Sequence, residues 1–188
     1  MSEFSFTYDQ ALLAVLMESF HKCDQAKRTQ TLGRKQLQKL CYFAQWLGAP
    51  LSYRFRIHYY GPYSDDLAFD TDMLTATKVF VDDSPDPASY SNLRPGPNIH
   101  APLKQYEGKL ADQHKSIIAK LVTALAPLSP RTLELLSTMH FINHRLKASG
   151  YTAGRDDIFE RLRGLKKEKF TPEEMERAYE AMKRASLL

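Results

Sequence analysis

The residues able to do chemistry are scattered along the chain, and their spacing limits what each can do. His140 and His144 stand four apart on one helical face, a spacing that lets two imidazoles share a metal ion. The sequence supplies no third ligand and no acidic residue between them, so helix-packing or surface histidines are the plainer reading. Asp66, Asp70 and Asp72 offer oxygens of the kind magnesium takes, but the same residues suit a solvated helix face whose first-turn carboxylates complement the helix dipole. Cys41 would need an adjacent base to act as a nucleophile, and its place on an apolar stripe argues for burial. No phosphate-binding loop, dinucleotide fingerprint, Gly-x-Ser-x-Gly elbow or Cys-x-x-Cys pair occurs. The chain is expected to be non-enzymatic, with no metal and no cofactor.

Two groups suit binding rather than reaction. Arg34, Lys35, Lys39, Arg54 and Arg56 could contact phosphates, which would make the chain a nucleic-acid-binding regulator. Tyr60, Gly61, Pro62, Tyr63, Ser64, Asp65, Asp66 and Asp70 form a corner running into an acidic helix, and they are the expected contact residues for a protein partner. Gly61 tolerates unusual backbone angles, Pro62 fixes its own φ, and Ser64 can cap the helix that follows. Of the aromatic residues nearby, Tyr53, Phe55, Ile57 and Tyr59 alternate along a strand and are expected to pack inward against residues 37–47. Tyr60 and Tyr63 are expected to frame the contact patch.

These residues need elements to hold them. Apolar spacing predicts a helix over 8–27 with Thr7 as cap, and a second over 32–47 whose opposite face carries Lys35, Gln38, Lys39, Tyr42 and Gln45. A strand over 53–59, the corner, and a helix over 64–76 follow. Residues 79–82 read as a strand, 83–106 as a proline-rich segment with Pro85, Pro87, Pro95, Pro97 and Pro102, and 99–103 as its return strand. Helices are then predicted over 106–125, from Ser129-Pro130 to Ser149-Gly150, over 156–166, and from the Thr171-Pro172-Glu173-Glu174 capping box onward. The fold class is mainly α with a small antiparallel β element (α+β). A winged-helix-like core with a hairpin insertion (82–106) would occupy 1–106, and a helical extension packed on it as one compact unit would occupy 107–188.

Composition fits such a chain. Its 188 residues are 43% hydrophobic and 26% charged, as in ordinary globular proteins. The longest apolar run is far short of a membrane span, and the first residues lack the basic and apolar regions of a signal peptide. Two cysteines, Cys23 and Cys41, make no disulfide framework, so a cytoplasmic protein is expected. The net charge is +4, unevenly spread. Residues 22–58 hold eight basic residues against Asp24 alone, and residues 59–102 hold seven acidic residues against Lys78 and Arg94. Such polarity suits a charged partner, unless the two segments face each other. A winged helix usually reads DNA with the helix before its wing. Here that helix carries Asp65, Asp66, Asp70 and Asp72, which phosphates would repel.

Several segments carry a family resemblance. Leu37 to Gln45, Phe55 to Tyr60, the corner Gly61 to Leu67, Leu133 to His140 and Lys167 to Met175 together resemble the YwgA family of uncharacterised prokaryotic proteins. More distantly, the pairing of a Leu-Gln-Lys-Leu helix with a Tyr-Gly-Pro corner resembles the Panacea domain of SocA-like antitoxins. The likeness spans about residues 33–183, with 82–127 similar only in rough pattern, and the proline-rich insertion is a departure. The YwgA group brings no activity with it. The Panacea resemblance implies an interaction module that neutralises a toxin by protein contact, in an antitoxin or defence setting.

Overall fold

The structure, a computed structural model, describes residues 5–23, 32–84 and 90–188. The end of the helix expected over 24–27 and the hairpin prolines Pro85 and Pro87 lie outside the described residues. Four helix starts coincide with caps written in the sequence, Thr7, Ser64, Ser129 and Thr171. Thr7 opens α1 (Tyr8–Lys22), its hydroxyl accepting from the Gln10 amide while the Gln10 side chain accepts from Thr7 N–H. Helix α2 (Arg34–Trp46) is followed by strands β1 (Arg56–His58) and β2 (Gly61–Tyr63). Ser64 caps α3 (Asp65–Ala76), its hydroxyl accepting from Leu67 N–H at 3.3 Å. Strands β3 (Phe80–Asp82) and β4 (Leu93–Pro95) lead to a short α4 (His100–Gln105) and to α5 (Asp112–Leu125). Ser129 caps α6 (Pro130–Ala148), α7 (Arg155–Lys166) follows, and the Thr171–Glu174 capping box opens α8 (Pro172–Arg184). The fold is mainly helical, 61% of the described residues, with two small antiparallel strand pairs, an α+β class.

Two elements differ from the sequence expectation. The strand expected over 53–59 shortens to Arg56–His58 and pairs with Gly61–Tyr63 in the register His58 to Gly61. Upstream, the Gln45 side chain donates to Tyr53 O and accepts from Tyr53 N–H, both at 3.0 Å, so Tyr53 needs no partner strand. The return strand is Leu93–Pro95, pairing with Phe80–Asp82, whereas residues 99–103 start helix α4. Pro102 falls in the first turn of that helix, where its missing N–H costs nothing. At the open end of the hairpin, opposite its turn, Gly96 donates to Val79 O at 2.8 Å, and a Cβ there would stand 2.2 Å from Lys78 O.

The chain divides into two compact units, residues 1–55 with 64–128 and residues 56–63 with 129–188. These limits differ from a division at residue 106. Helix α5 packs on α1 and α2 through Ile118, Leu121 and Val122, all nearly inaccessible, and so belongs with the first unit. In that unit α2 also meets α3, and every residue from Gln36 to Ala44 is buried. The middle of the expected polar face of α2, Gln38, Lys39 and Tyr42, is therefore enclosed, while Lys35 is exposed. Gln38 satisfies itself against the Ser64 backbone, donating to its carbonyl and accepting from its N–H, each at 2.9 Å. In the second unit α6 packs against α7, α8 and β2 around Met139, Ile142, Ile158, Leu162, Phe170 and Met175.

Candidate interaction surface

The β1–β2 register leaves Tyr59-Tyr60 as a two-residue loop, closed by Gly61 at φ 88°. Tyr59 is 72% exposed and Tyr60 37%, and their rings meet edge to face with centroids 4.8 Å apart. Beneath the loop lies a buried ionic group. Glu134 on α6 is only 6% exposed, and its carboxylate meets the Lys166 ammonium at 3.0 Å and the Lys169 ammonium at 2.8 Å. Lys166, the last residue of α7, also donates to the backbone carbonyls of His58 and Tyr59. Lys169 lies 5.6 Å from the Tyr59 ring centroid and 5.1 Å from that of Tyr60. Burial lowers the Lys166 pKa, opposed by its bond to Glu134. Lys166 thus fastens the loop backbone, Lys169 faces the two rings, Glu134 joins both ammonium groups, and both tyrosines stay exposed. A side chain held in place before contact loses less entropy on binding.

The expected partner-binding residues are divided between the two units. Tyr60, Gly61, Pro62 and Tyr63 belong to the second unit, and Ser64, Asp65, Asp66 and Asp70 to the first. Gly61, Pro62 and Ser64 are buried, Tyr63 is half-buried beside His58, and Asp65 and Asp66 are exposed. Asp70 is half-buried and accepts from Gln10 Nε2 and from the Tyr53 hydroxyl, both at 2.8 Å. Tyr53 is buried as expected and Phe55 packs edge to face on Tyr42 at 5.2 Å, but Tyr59 points outward, because the strand ends before it and the loop begins.

The basic residues divide as well. Lys39 is 3% exposed, enclosed with its neighbours from Gln36 to Ala44, and so is out of reach of a phosphate. Arg34 meets Asp72 at 2.5 Å and Asp82 at 4.0 Å, Arg54 meets Asp66 at 3.4 Å, and Lys35 is exposed. Arg56 lies in the second unit. The basic and acidic sequence segments thus meet in ion pairs. Counted over the sequence, the first unit holds 13 basic and 13 acidic residues, whereas the second holds 13 against 9 and carries the whole +4.

The chemical candidates take ordinary places. His140 is 6% exposed, and burial, followed by the charges of His144 and Lys147, lowers its pKa to about 4. Among the described residues no three His, Cys, Asp or Glu side chains gather closely enough to hold a metal. Cys41 is fully buried and its thiol pKa is pushed up by burial and by Asp9. In the first unit a cavity of about 450 Å³ is lined by Tyr8, Asp9, Tyr53, Asp66, Phe69 and Asp70, and Asp9 accepts from the Ser52 hydroxyl. Among the described residues no helix is long and apolar enough to cross a membrane. Sequence reasoning missed Tyr59, Glu134, Lys166 and Lys169. Tyr59, Glu134 and Lys169 fall within the family-like segments, whereas Lys166 lies just outside them and reaches a carbonyl 108 positions away.

Over 45 residues this chain is 38% identical to the protein described as uncharacterized protein YwgA of Bacillus subtilis strain 168. The match covers 24% of this chain and 27% of that relative, so the chain spans about a quarter of the relative's length in the comparison. No family model matches.

Proposed function

We propose that this chain is a non-enzymatic protein-interaction module that docks on a partner protein through the Tyr59-Tyr60 loop. The supporting observation is the exposed tyrosine pair mounted on the buried Glu134–Lys166–Lys169 group. Tyrosine is among the residues that most often dominate binding energy at interfaces. Asp65 and Asp66 would add charge at a second contact of the same partner. The distant Panacea resemblance makes a toxin the expected partner and an antitoxin-like or defence role the expected setting. The chain order of helix, strand pair, helix and hairpin supports a winged-helix-like core, although its strand pair falls in the second unit. A cytoplasmic location follows from the same proposal and agrees with the free thiols at Cys23 and Cys41.

The test is affinity capture from cells carrying the chain with its neighbouring genes, comparing the native protein with a Tyr59→Ala/Tyr60→Ala variant. A single partner protein, bound roughly thirtyfold (about 2 kcal/mol) less tightly by the variant with an unchanged unfolding midpoint, is the expected result. Equal capture by both forms, or no partner at all, would overturn the reading. Duplex DNA binding that falls steeply with salt and is lost on replacing Arg34, Lys35 and Arg54 would favour the regulator instead.

A further inference from the structure

The second unit contains a cavity of about 650 Å³, within the range of small-molecule sites, about 300–1,000 Å³. Its apolar lining includes Ile57 from β1, Phe141 and Leu146 from α6, and Leu165 from α7. The lining also holds two arginines, Arg145 and Arg161, and no carboxylate. Several arginines elsewhere are paired, though among the described residues Arg163, Arg177 and Arg184 show no ion pair either. Arg34, Arg54, Arg94, Arg131 and Arg155 each meet an aspartate or glutamate. Among the described residues the side chains of Arg145 and Arg161 make neither an ion pair nor a hydrogen bond. They sit in the unit that carries the chain's net positive charge. On α6 the lining positions 141, 142, 145 and 146, followed by its C-cap Ser149, fall on one helical face, which puts Arg145 beside Phe141 and Leu146. Leu165 is 48% exposed at the same cavity, and a Cβ added at Gly164 would meet nothing within 4 Å.

We propose that this cavity binds a small amphipathic anion, with a carboxylate or phosphate head received by Arg145 and Arg161 and an apolar body lying against Ile57, Phe141, Leu146 and Leu165. Guanidinium groups match the planar oxygens of either head group and are more weakly hydrated than ammonium, so they give up water readily to such a ligand. The apolar lining supplies the second half of the recognition, because a wholly hydrophilic anion would leave that surface uncovered.

The experiment is isothermal titration of the full chain with decanoate, decyl phosphate and decanol at low and high salt. Both anions should bind, with decanol about tenfold or more weaker, as expected from losing a charge-assisted bond. The stronger of the two anions names the head group. An Arg145→Gln/Arg161→Gln variant should bring the anions down to the level of decanol. Gly164→Leu should abolish binding while the unfolding temperature holds or rises, since leucine favours a helix over glycine and meets open space. Binding should persist in the Tyr59→Ala/Tyr60→Ala variant, which separates this site from the protein-docking loop. Decanol binding as well as decanoate, anion binding that survives Gly164→Leu, or no binding of either anion would overturn the proposal.

Discussion

In the first compact unit, arginines meet carboxylates at the surface: Arg34 with Asp72 at 2.5 Å, with side chains 37% and 66% exposed, and Arg54 with Asp66. In the second, Glu134 sits between two ammonium groups with its side chain 7% exposed. Exposed pairs lie in high dielectric and contribute little, so their value is to balance charge. A buried group holds its partners to one geometry, because any member left alone would be a desolvated charge. The longest charge runs in the sequence, over 22–58 and 59–102, largely cancel within the first unit. The ionic group that positions the exposed tyrosines draws on single residues from the second. Conspicuous charge in the sequence therefore marked solvated pairing, and inconspicuous charge marked the organised surface.

The largest test of that contrast is Glu134→Gln. It leaves two ammonium groups without a counterion and should lower the stability of the second unit by about 3 kcal/mol, the low end for breaking a buried pair. Denaturant unfolding followed by amide exchange in α6 to α8 would measure it, and a loss below about 1 kcal/mol would erase the distinction between the units. The second test is acid. His140 has a folded pKa of about 4 against an ordinary value of 6.5, so the unfolded chain takes up its proton first. Stability is full above pH 6.5 and falls as pH drops toward 4, by about 3 kcal/mol in total. A pH series of unfolding midpoints should show this slope in the native protein and lose much of it in His140→Gln. The smallest effect belongs to the first unit, where Asp72→Asn should cost less than about 1 kcal/mol and less still at high salt. A larger loss would mean that the surface pairs also organise structure.

Much of the fold was legible in the sequence. Thr7, Ser64, Ser129 and Thr171 all cap helices, and the apolar stripes over 110–125 and 133–146 give the buried faces of α5 and α6. The sheet was less legible. Alternation over 53–59 suggested a strand, but Gln45 satisfies the Tyr53 backbone, and the strand shortens and sends Tyr59 into solvent. The spacing put Lys35, Gln38, Lys39, Tyr42 and Gln45 opposite the apolar face of α2, yet Lys39, Gln38 and Tyr42 are enclosed because the helix is covered by both α3 and α5. Of the candidate site, Tyr60 was anticipated as a contact residue and Tyr59 was not.

The sequence by itself determined where most helices start, where the corner turns and that the chain is mainly helical. Caps, proline and glycine conformations and helical periodicity all act within about one turn of chain, so local residues suffice to specify them. Only the tertiary structure decided which charges meet. Lys169 pairs with Glu134 across 35 positions, and Lys166 reaches the His58 carbonyl across 108. Such partners are chosen by the packing of α6, α7 and the β1–β2 hairpin against one another. Side-chain type sets what an ammonium or carboxylate can do, but burial and neighbours set whether it does so, and both belong to the folded chain.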